Sequence, residues 1–454
     1  MKNLISRYDS SIYLVILAVF VLSSCNAQGS DTKESIESKI DTYLQPYLEM
    51  DAWSGNVAIY KNGEPLFQKS YGFADREWNI KNTMDTKFRI ASISKLFTEV
   101  AILQLSESEK LQLDDTLSKY IIGYPRGEEI TIQQLLNHRA GIPHLNSFPN
   151  YNELIKFNYT IDEIIELFKS KPLDFKPGEK YRYSNSGYVL LAKIIEIVSG
   201  KSYRQYLEDR IFKPYGLKAT GIDSNSAILN KRAKGYMFNN DAHLINAEFV
   251  DMSIKIGGGS LYSTTDDLNL FVQKLVKGEI LKSSFEKLPN FSTKNGQRAF
   301  ATNGRVQGFC HQVIHWMDDN LTIVLLGNHY SNVALPITED IYKIYSGKNY
   351  QTPTNYIEKR QSVTNKKLQE YQGTYDFGFG PIGVVKVIDN NLMYMAPGRT
   401  KADKLIPLGN DTFFYVQNWV LLKFVDRKEK KYNTLQWIMG DNTYPAKRIN
   451  QIKN

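Results

Sequence analysis

Cysteine is nearly absent: Cys25 and Cys310 are the only two in 454 residues. That scarcity excludes a disulfide-stapled scaffold, and 42% apolar content with 12% aromatics fills a large core without one. Also missing from the N-terminal region is an apolar run long enough to span a bilayer. Residues 14–22, behind Lys2 and Arg7, are too short for that and read as the core of an export signal. The net charge of +8 is spread along the chain rather than gathered into one arm, which argues against nucleic acid as a partner. There is no glycine-rich phosphate loop. His311 and His315 fall four apart in a strand-like run with no third ligand beside them, so no metal and no cofactor is expected.

What is present has the periodicity of a two-domain chain. Residues 31–50 carry Ile36, Ile40, Leu44 and Leu48 at helical spacing. Residues 54–60 and 66–71 flank Lys61-Asn62-Gly63-Glu64, whose Asn-Gly pair suits a tight hairpin. After Phe88-Arg89-Ile90-Ala91, the residues Leu96, Phe97, Val100, Ala101 and Leu103 repeat with helical spacing, so Ser92 stands at a helix N-terminus. Beyond Tyr345 the composition shifts. Residues 346–365 are polar, contain Pro353 and read as a linker. Short strand-like runs follow at 371–375, 383–388, 392–395, 405–408, 413–416, 421–425 and 434–439, predicting a small antiparallel barrel or sandwich.

The chemistry concentrates in two places. Ser92-Ile93-Ser94-Lys95 puts an amine one helical turn from a hydroxyl, and a serine is a poor nucleophile until a base lies within hydrogen-bond reach. The helix N-terminus adds unpaired backbone N–H groups that suit an oxyanion. Tyr183-Ser184-Asn185 opens a second helix; a tyrosine beside an ammonium is expected to have its pKa lowered and to relay a proton, and Asn185 can hold a lysine or a substrate amide. The competing readings are an N-cap serine with a solvated lysine, and an N-cap asparagine beside a half-buried ring. His138, before Gly141 and Pro143, reads as a structural cap at a helix end, Asp266-Asp267 as a helix N-terminal charge pair, and Cys310 as a buried structural thiol.

Taken together, Phe88-Arg89-Ile90-Ala91-Ser92-Ile93-Ser94-Lys95, Leu135-Leu136-Asn137-His138 with Gly141-Ile142-Pro143, Pro177-Gly178 leading to Tyr183-Ser184-Asn185, Gly258-Gly259-Ser260-Leu261-Tyr262-Ser263-Thr264 with Asp267, and Leu321-Thr322-Ile323-Val324 to Asn328 resemble the serine beta-lactamase-related family of penicillin-binding proteins, class C beta-lactamases and esterases. The resemblance implies an α/β fold: an antiparallel sheet flanked by helices, with a helical subdomain. It implies Ser92 as acyl-accepting nucleophile, Lys95 as its proton partner, Tyr183 as general base and acid, and Asn185 in the substrate cleft. A lipocalin-like β appendage is similar to the one expected at the C-terminus. Leu22-Ser23-Ser24-Cys25 resembles the bacterial lipobox, which implies lipidation of Cys25 and a membrane-anchored place in the cell envelope.

The third family motif, a cation, a small residue and glycine ahead of a Gly-aromatic pair, is where the chain departs. Counting back from Gly308-Phe309 gives Thr302-Asn303-Gly304, with Thr302 in place of the cation and the oxyanion N–H falling near Arg305. Recognition of a free substrate carboxylate is therefore expected to weaken, unless Arg305 restores the charge. The expected organisation is a signal peptide over 1–24, a tether over 25–35, a hydrolase domain over 36–345, a linker over 346–365 and a β domain over 366–454. The expected function is an exported, monomeric serine hydrolase acting through an acyl-enzyme on an ester, amide or peptide, peptidoglycan-derived substrates included. The alternative is a catalytically weakened binding or sensing protein of the cell envelope on the same scaffold.

Overall fold

The computed structural model describes residues 35–282, 285–377, 383–395, 402–440 and 442–449. The export signal and Cys25 lie outside the described residues. A six-stranded antiparallel sheet is built from β1 (Gly55–Lys61), β2 (Glu64–Tyr71), β3 (Phe291–Lys294), β4 (Gln297–Val306), β5 (Phe309–Trp316) and β6 (Leu321–Gly327), in the order β3-β4-β5-β6-β1-β2. The ends of the hydrolase unit thus meet in its middle, Gly55 opposite Gly327 and Lys61 opposite Leu321.

Both faces of that sheet are covered, which is why β5 and β6 are buried at every position rather than at alternate ones, the polar His311, Gln312, His315 and Thr322 included. Val57, Ile59, Ile323 and Leu325 point to one face, where they pack with Ile40 and Leu44 of α1 (Ile36–Glu49) and with residues of a C-terminal helix such as Ile337. Ala58, Tyr60, Val324 and Leu326 point to the other. That face carries α2 (Ser94–Glu107), α3 (Ile132–Leu136), α4 (Asn185–Ser199) and α5 (Thr265–Val276), with Phe97 stacked on Phe271 at 4.2 Å between centroids. The C-terminal helix, α6 (Ala334–Tyr345), sets Tyr342 against Trp316 at 4.2 Å. Burying one large apolar side chain of this kind contributes about 1.5–3 kcal/mol.

Among the described residues after α6 there is one sheet of nine strands, β7 (Gly373–Asp376), β8 (Gly383–Ile388), β9 (Asn391–Met395), β10 (Asp403–Lys404), β11 (Ile406–Gly409), β12 (Thr412–Tyr415), β13 (Val420–Lys428), β14 (Lys431–Met439) and β15 (Asn442–Ile449). Their order is β10-β9-β8-β7-β15-β14-β13-β12-β11, so the two edge strands are consecutive in the chain and the barrel is nearly closed. A barrel, not a sandwich, is the outcome. The strand over 442–449 was missed because Lys447, Arg448 and Pro445 mask its alternation, and only Ala446 is buried. The barrel docks on the α1/α6 side, where Ile406, Phe414, Val416 and Trp419 join the same apolar cluster and Trp419 meets Phe238 at 5.5 Å.

One glycine fixes the approach of the turn between β4 and β5 to its surroundings. Gly308, in the turn between these strands, has φ +83°, and a Cβ there would lie 2.4 Å from Gly235 Cα. Gly308→Ala is expected to cost about 2–4 kcal/mol in a urea unfolding titration, left-handed strain and backbone overlap combined. A loss below 0.5 kcal/mol would show that the turn can move aside.

Candidate active site

Ser92 sits in a 3-10 turn, Ala91–Ile93, that runs straight into α2. Ala91 is left-handed at φ 50°, a strained conformation for a residue with a Cβ, and it kinks the chain out of Phe88–Arg89 so that Ser92 faces outward while Ala91 and Ile93 are buried. Lys95 follows on the first turn of α2, and its Nζ is 3.4 Å from Ser92 Oγ. The same Nζ donates to Asn185 Oδ1 at 2.7 Å and to Gly258 O at 2.7 Å, so its three donors are all engaged. Tyr183 Oη lies 2.8 Å from Ser92 Oγ. Asn185 is the first residue of α4 rather than its cap, and its side chain also donates to Asn146 Oδ1 at 2.9 Å. The structure therefore brings Ser92, Lys95, Tyr183 and Asn185 together.

Protonation states follow from burial. Removal from water pulls the Lys95 ammonium down to about 7; Glu99, one turn further along α2, opposes that shift and Lys255 adds to it. Tyr183 moves the other way: the residue is 36% exposed, but desolvation on the side that faces Ser92 pushes its phenol up to about 12, against the lowering expected from a neighbouring ammonium. Near neutral pH the amine, not the phenol, is thus the group that exists partly as a free base. Glu99 is itself buried, accepts a hydrogen bond from Tyr188 Oη at 2.5 Å, and is pushed up to about 7 by desolvation.

His138 does not cap its own helix. Its Nδ1 accepts the Ser184 N–H at 3.2 Å, and its ring packs 4.5 Å from that of Tyr183 and 5.1 Å from that of Tyr188. His144 does the same one residue on, accepting the Asn185 N–H at 3.1 Å. Burial pulls His138 down to about 3 and His144 to about 4, with Lys95 adding to both, so each ring is a neutral acceptor that fixes the entrance of α4. Sequence reasoning read His138 as an end-cap and passed over His144 and Glu99; only the packing of α3 and α4 reveals them.

Gly304 of β4 comes against the Ser92 turn: a Cβ there would lie 2.2 Å from Ile90 O and 3.1 Å from Ser92 N. β3 pairs with β4 only as far as Phe300, and Ala301 N–H bonds Asn290 O at 2.8 Å on that side. By strand alternation the N–H groups of Asn303 and Arg305 point off the same, now unpaired, edge. Thr302 is buried, its carbonyl accepting from Gln312 Nε2 at 3.2 Å, and it takes no part in the wall of the cavity beside Ser92. Arg305 does line that cavity, as does Lys255. His311 and His315 are structural: the two nitrogens of His311 meet Arg89 O at 2.7 Å and Gly327 N at 3.2 Å, and His315 Nδ1 meets Thr322 Oγ1 at 3.0 Å. Cys310 is buried, which pushes its thiol up.

Comparison with known proteins gives the family and the fold. The family model described as Beta-lactamase matches residues 40–333. Teichoic acid D-alanine hydrolase of Staphylococcus aureus is 30% identical over 337 residues, covering 71% of this chain and 81% of that one. Among solved structures, an octameric penicillin-binding protein homologue from Pyrococcus abyssi superposes with TM-score 0.61 at 23% identity, over 90% of this chain and 100% of its own, the β domain's share included. D-amino acid amidase from Ochrobactrum anthropi SV3 gives TM-score 0.62 at 21% identity, over 69% of this chain and 99% of its own. Both structural likenesses concern the fold.

The electrostatics of Lys95 set a pH profile. If its free amine takes the Ser92 proton, the rate of Ser92 acylation by a neutral electrophile rises about tenfold per pH unit below about 7 and levels off above it. Glu99→Gln removes the carboxylate that raises the Lys95 pKa, so the inflection moves to lower pH. A profile flat from pH 5 to 9 would exclude the amine as base.

Proposed function

The chain belongs to the Beta-lactamase family of serine hydrolases, and we propose that it acts through an acyl-enzyme on Ser92, with an ester or amide as substrate. The observation that carries this reading is the convergence of Lys95 Nζ and Tyr183 Oη on one serine oxygen, at 3.4 and 2.8 Å, from segments about ninety residues apart.

The steps follow from the protonation states. The free amine of Lys95 takes the Ser92 proton as Oγ adds to the substrate carbonyl. The oxyanion so formed is met by the Ser92 N–H at the start of its 3-10 turn and by the Arg305 N–H off the free edge of β4, the two stretches that Gly304 allows into contact. Tyr183, protonated because burial holds its phenol at about 12, gives its proton to the departing oxygen or nitrogen and recovers one from the Lys95 ammonium. Water then attacks the ester carbonyl as the same groups run in reverse. This assigns the base to Lys95 and the acid to Tyr183, dividing a pair of roles that family resemblance gives to the tyrosine alone.

A D-alanyl ester is the first substrate class to test, because the Staphylococcus aureus relative is a teichoic acid D-alanine hydrolase. A cell-envelope location fits that substrate, with Cys25 as a lipid anchor; among the described residues no helix is long and apolar enough to cross a membrane. The division at 346–365 makes residues 36–345 the catalytic unit and 366–454 a barrel that packs on it.

A fluorophosphonate probe is expected to label the purified protein, and Ser92→Ala to abolish labelling while its far-UV circular dichroism is unchanged. Labelling that persists in this variant would refute the assignment. Tyr183→Phe is expected to lower turnover of an amide by about 10²-fold or more, and that of an activated aryl ester, whose leaving group needs no proton, by much less. Equal losses on both would remove Tyr183 from the acid role.

A further inference from the structure

We propose that Lys255, with Arg305, forms a subsite beside Ser92 that binds an anionic oxygen group of the substrate, a carboxylate or a phosphate. The inference rests on the acyl-enzyme reading and specifies its substrate.

The cavity next to Ser92 is walled by Asn146, Asn185, Lys255, Gly258 and Arg305 among others, and among the described residues no aspartate or glutamate is part of that wall. Lys255 ends the 3-10 turn Met252–Lys255, and its Nζ bonds to Tyr151 Oη. Among the described residues Tyr151 is its one hydrogen-bond partner, and the groups that act on its charge are the phenols Tyr330 and Tyr183 rather than any carboxylate. Here the contrast with Lys95 is informative. Lys95 spends its three donors on Ser92, Asn185 and Gly258, whereas Lys255 has one protein partner and two donors to spare. A desolvated ammonium without a counter-charge is costly, and an incoming anion would satisfy both its charge and its free donors.

Arg305 completes the arrangement from the other wall. Its guanidinium is held by neutral acceptors, Asn332 Oδ1 and, at 2.9 Å, Asn418 Oδ1 of the barrel, and lies 5.0 Å from the centroid of the Tyr330 ring. Its charge is therefore fixed in place without being neutralised. Gly258 and Gly259 leave the floor between the two lysines free of side chains: a Cβ on Gly258 would lie 3.1 Å from Lys95 Nζ, and one on Gly259 3.5 Å from Lys255 Cβ. The cation missing at Thr302 is thus supplied from a different element, and the weakened carboxylate recognition expected from the sequence is reversed.

The test compares aryl esters with one leaving group whose acyl chains end in a carboxylate, its methyl ester, or a phosphonate of equal length, using the full chain. The wild type is expected to favour an anionic ester over the neutral one in kcat/KM by roughly 10-fold or more, mostly through KM. Lys255→Met is expected to remove most of that preference and Lys255→Arg to keep most of it; whether the carboxylate or the phosphonate gains more identifies the source of the anion. No preference in the wild type, or one that survives in Lys255→Met, overturns the proposal. Should Lys255→Met not fold, inhibition of neutral-ester turnover by a small carboxylate or phosphate, set against a neutral amide of equal size, decides the matter in the wild type, and absence of inhibition overturns it. Fluorophosphonate labelling of the same samples separates the two failures: labelled protein without anion preference rejects only the subsite, and unlabelled protein rejects the acyl-enzyme reading and the subsite with it.

Discussion

An amine taken out of water is the constraint around which the site is arranged. Lys95 is 5% exposed, and its ammonium is held by Asn185 Oδ1 at the start of one helix, Gly258 O in a loop and Ser92 Oγ one turn back. Those partners are oxygens without formal charge, so the charged form is solvated by dipoles yet not neutralised, and the pKa falls to about 7 instead of remaining that of a surface lysine. An ion pair in the same place would lock the proton on. Glu99 shows how finely this is balanced: it lies near enough to raise the Lys95 pKa, but its own burial favours protonation and its hydrogen bond comes from Tyr188.

Holding three such partners in register requires a rigid platform, and the sheet covered on both faces provides it. β6 is buried from end to end and β1 as far as Tyr60, so neither can slip by one residue without exchanging Val57 and Ile59 for Ala58 and Tyr60 between two differently shaped cores. β4 hangs at the end of this platform, where β3 has ceased to pair, and its free edge meets the Ser92 turn. The barrel extends the platform. Trp419 and Phe414 enter the α1/α6 core, while Asn418 beside them reaches Arg305 at the mouth of the cleft.

Much of this was legible in the sequence wherever it depended on local pattern. The α1 spacing, the Asn62-Gly63 hairpin, the helix behind Ser92 and most barrel strands follow from periods of 3.6 and 2. Ser92, Lys95, Tyr183 and Asn185 were picked out by residue type together with the family resemblance, since each motif taken alone also reads as a plain helix cap. What failed was whatever burial decides. The Tyr183 pKa was expected to fall because only a charged neighbour was counted, and desolvation, with Glu99 adding to it, outweighs the lowering by Ser92 and Lys255. Lys255 was invisible because a lone lysine before a glycine run looks solvated until Tyr151 and Tyr330 close around it. His144 carried no signal because its partner is a backbone N–H 41 residues away.

The positive field of the pocket also explains why two histidines can be trusted as fixed supports. His138 and His144 hold the entrance of α4 by accepting backbone N–H groups, which only a neutral imidazole can do at Nδ1. Protonation would turn each acceptor into a donor facing a donor and would loosen Tyr183 and Asn185 together. Burial is the first barrier to that event; Lys95 is a second for both rings, and Lys255 a third for His144. The cations that prepare the cleft for chemistry therefore also keep the tyrosine segment in place, and the arrangement stays intact at pH values where an exposed histidine would already carry charge.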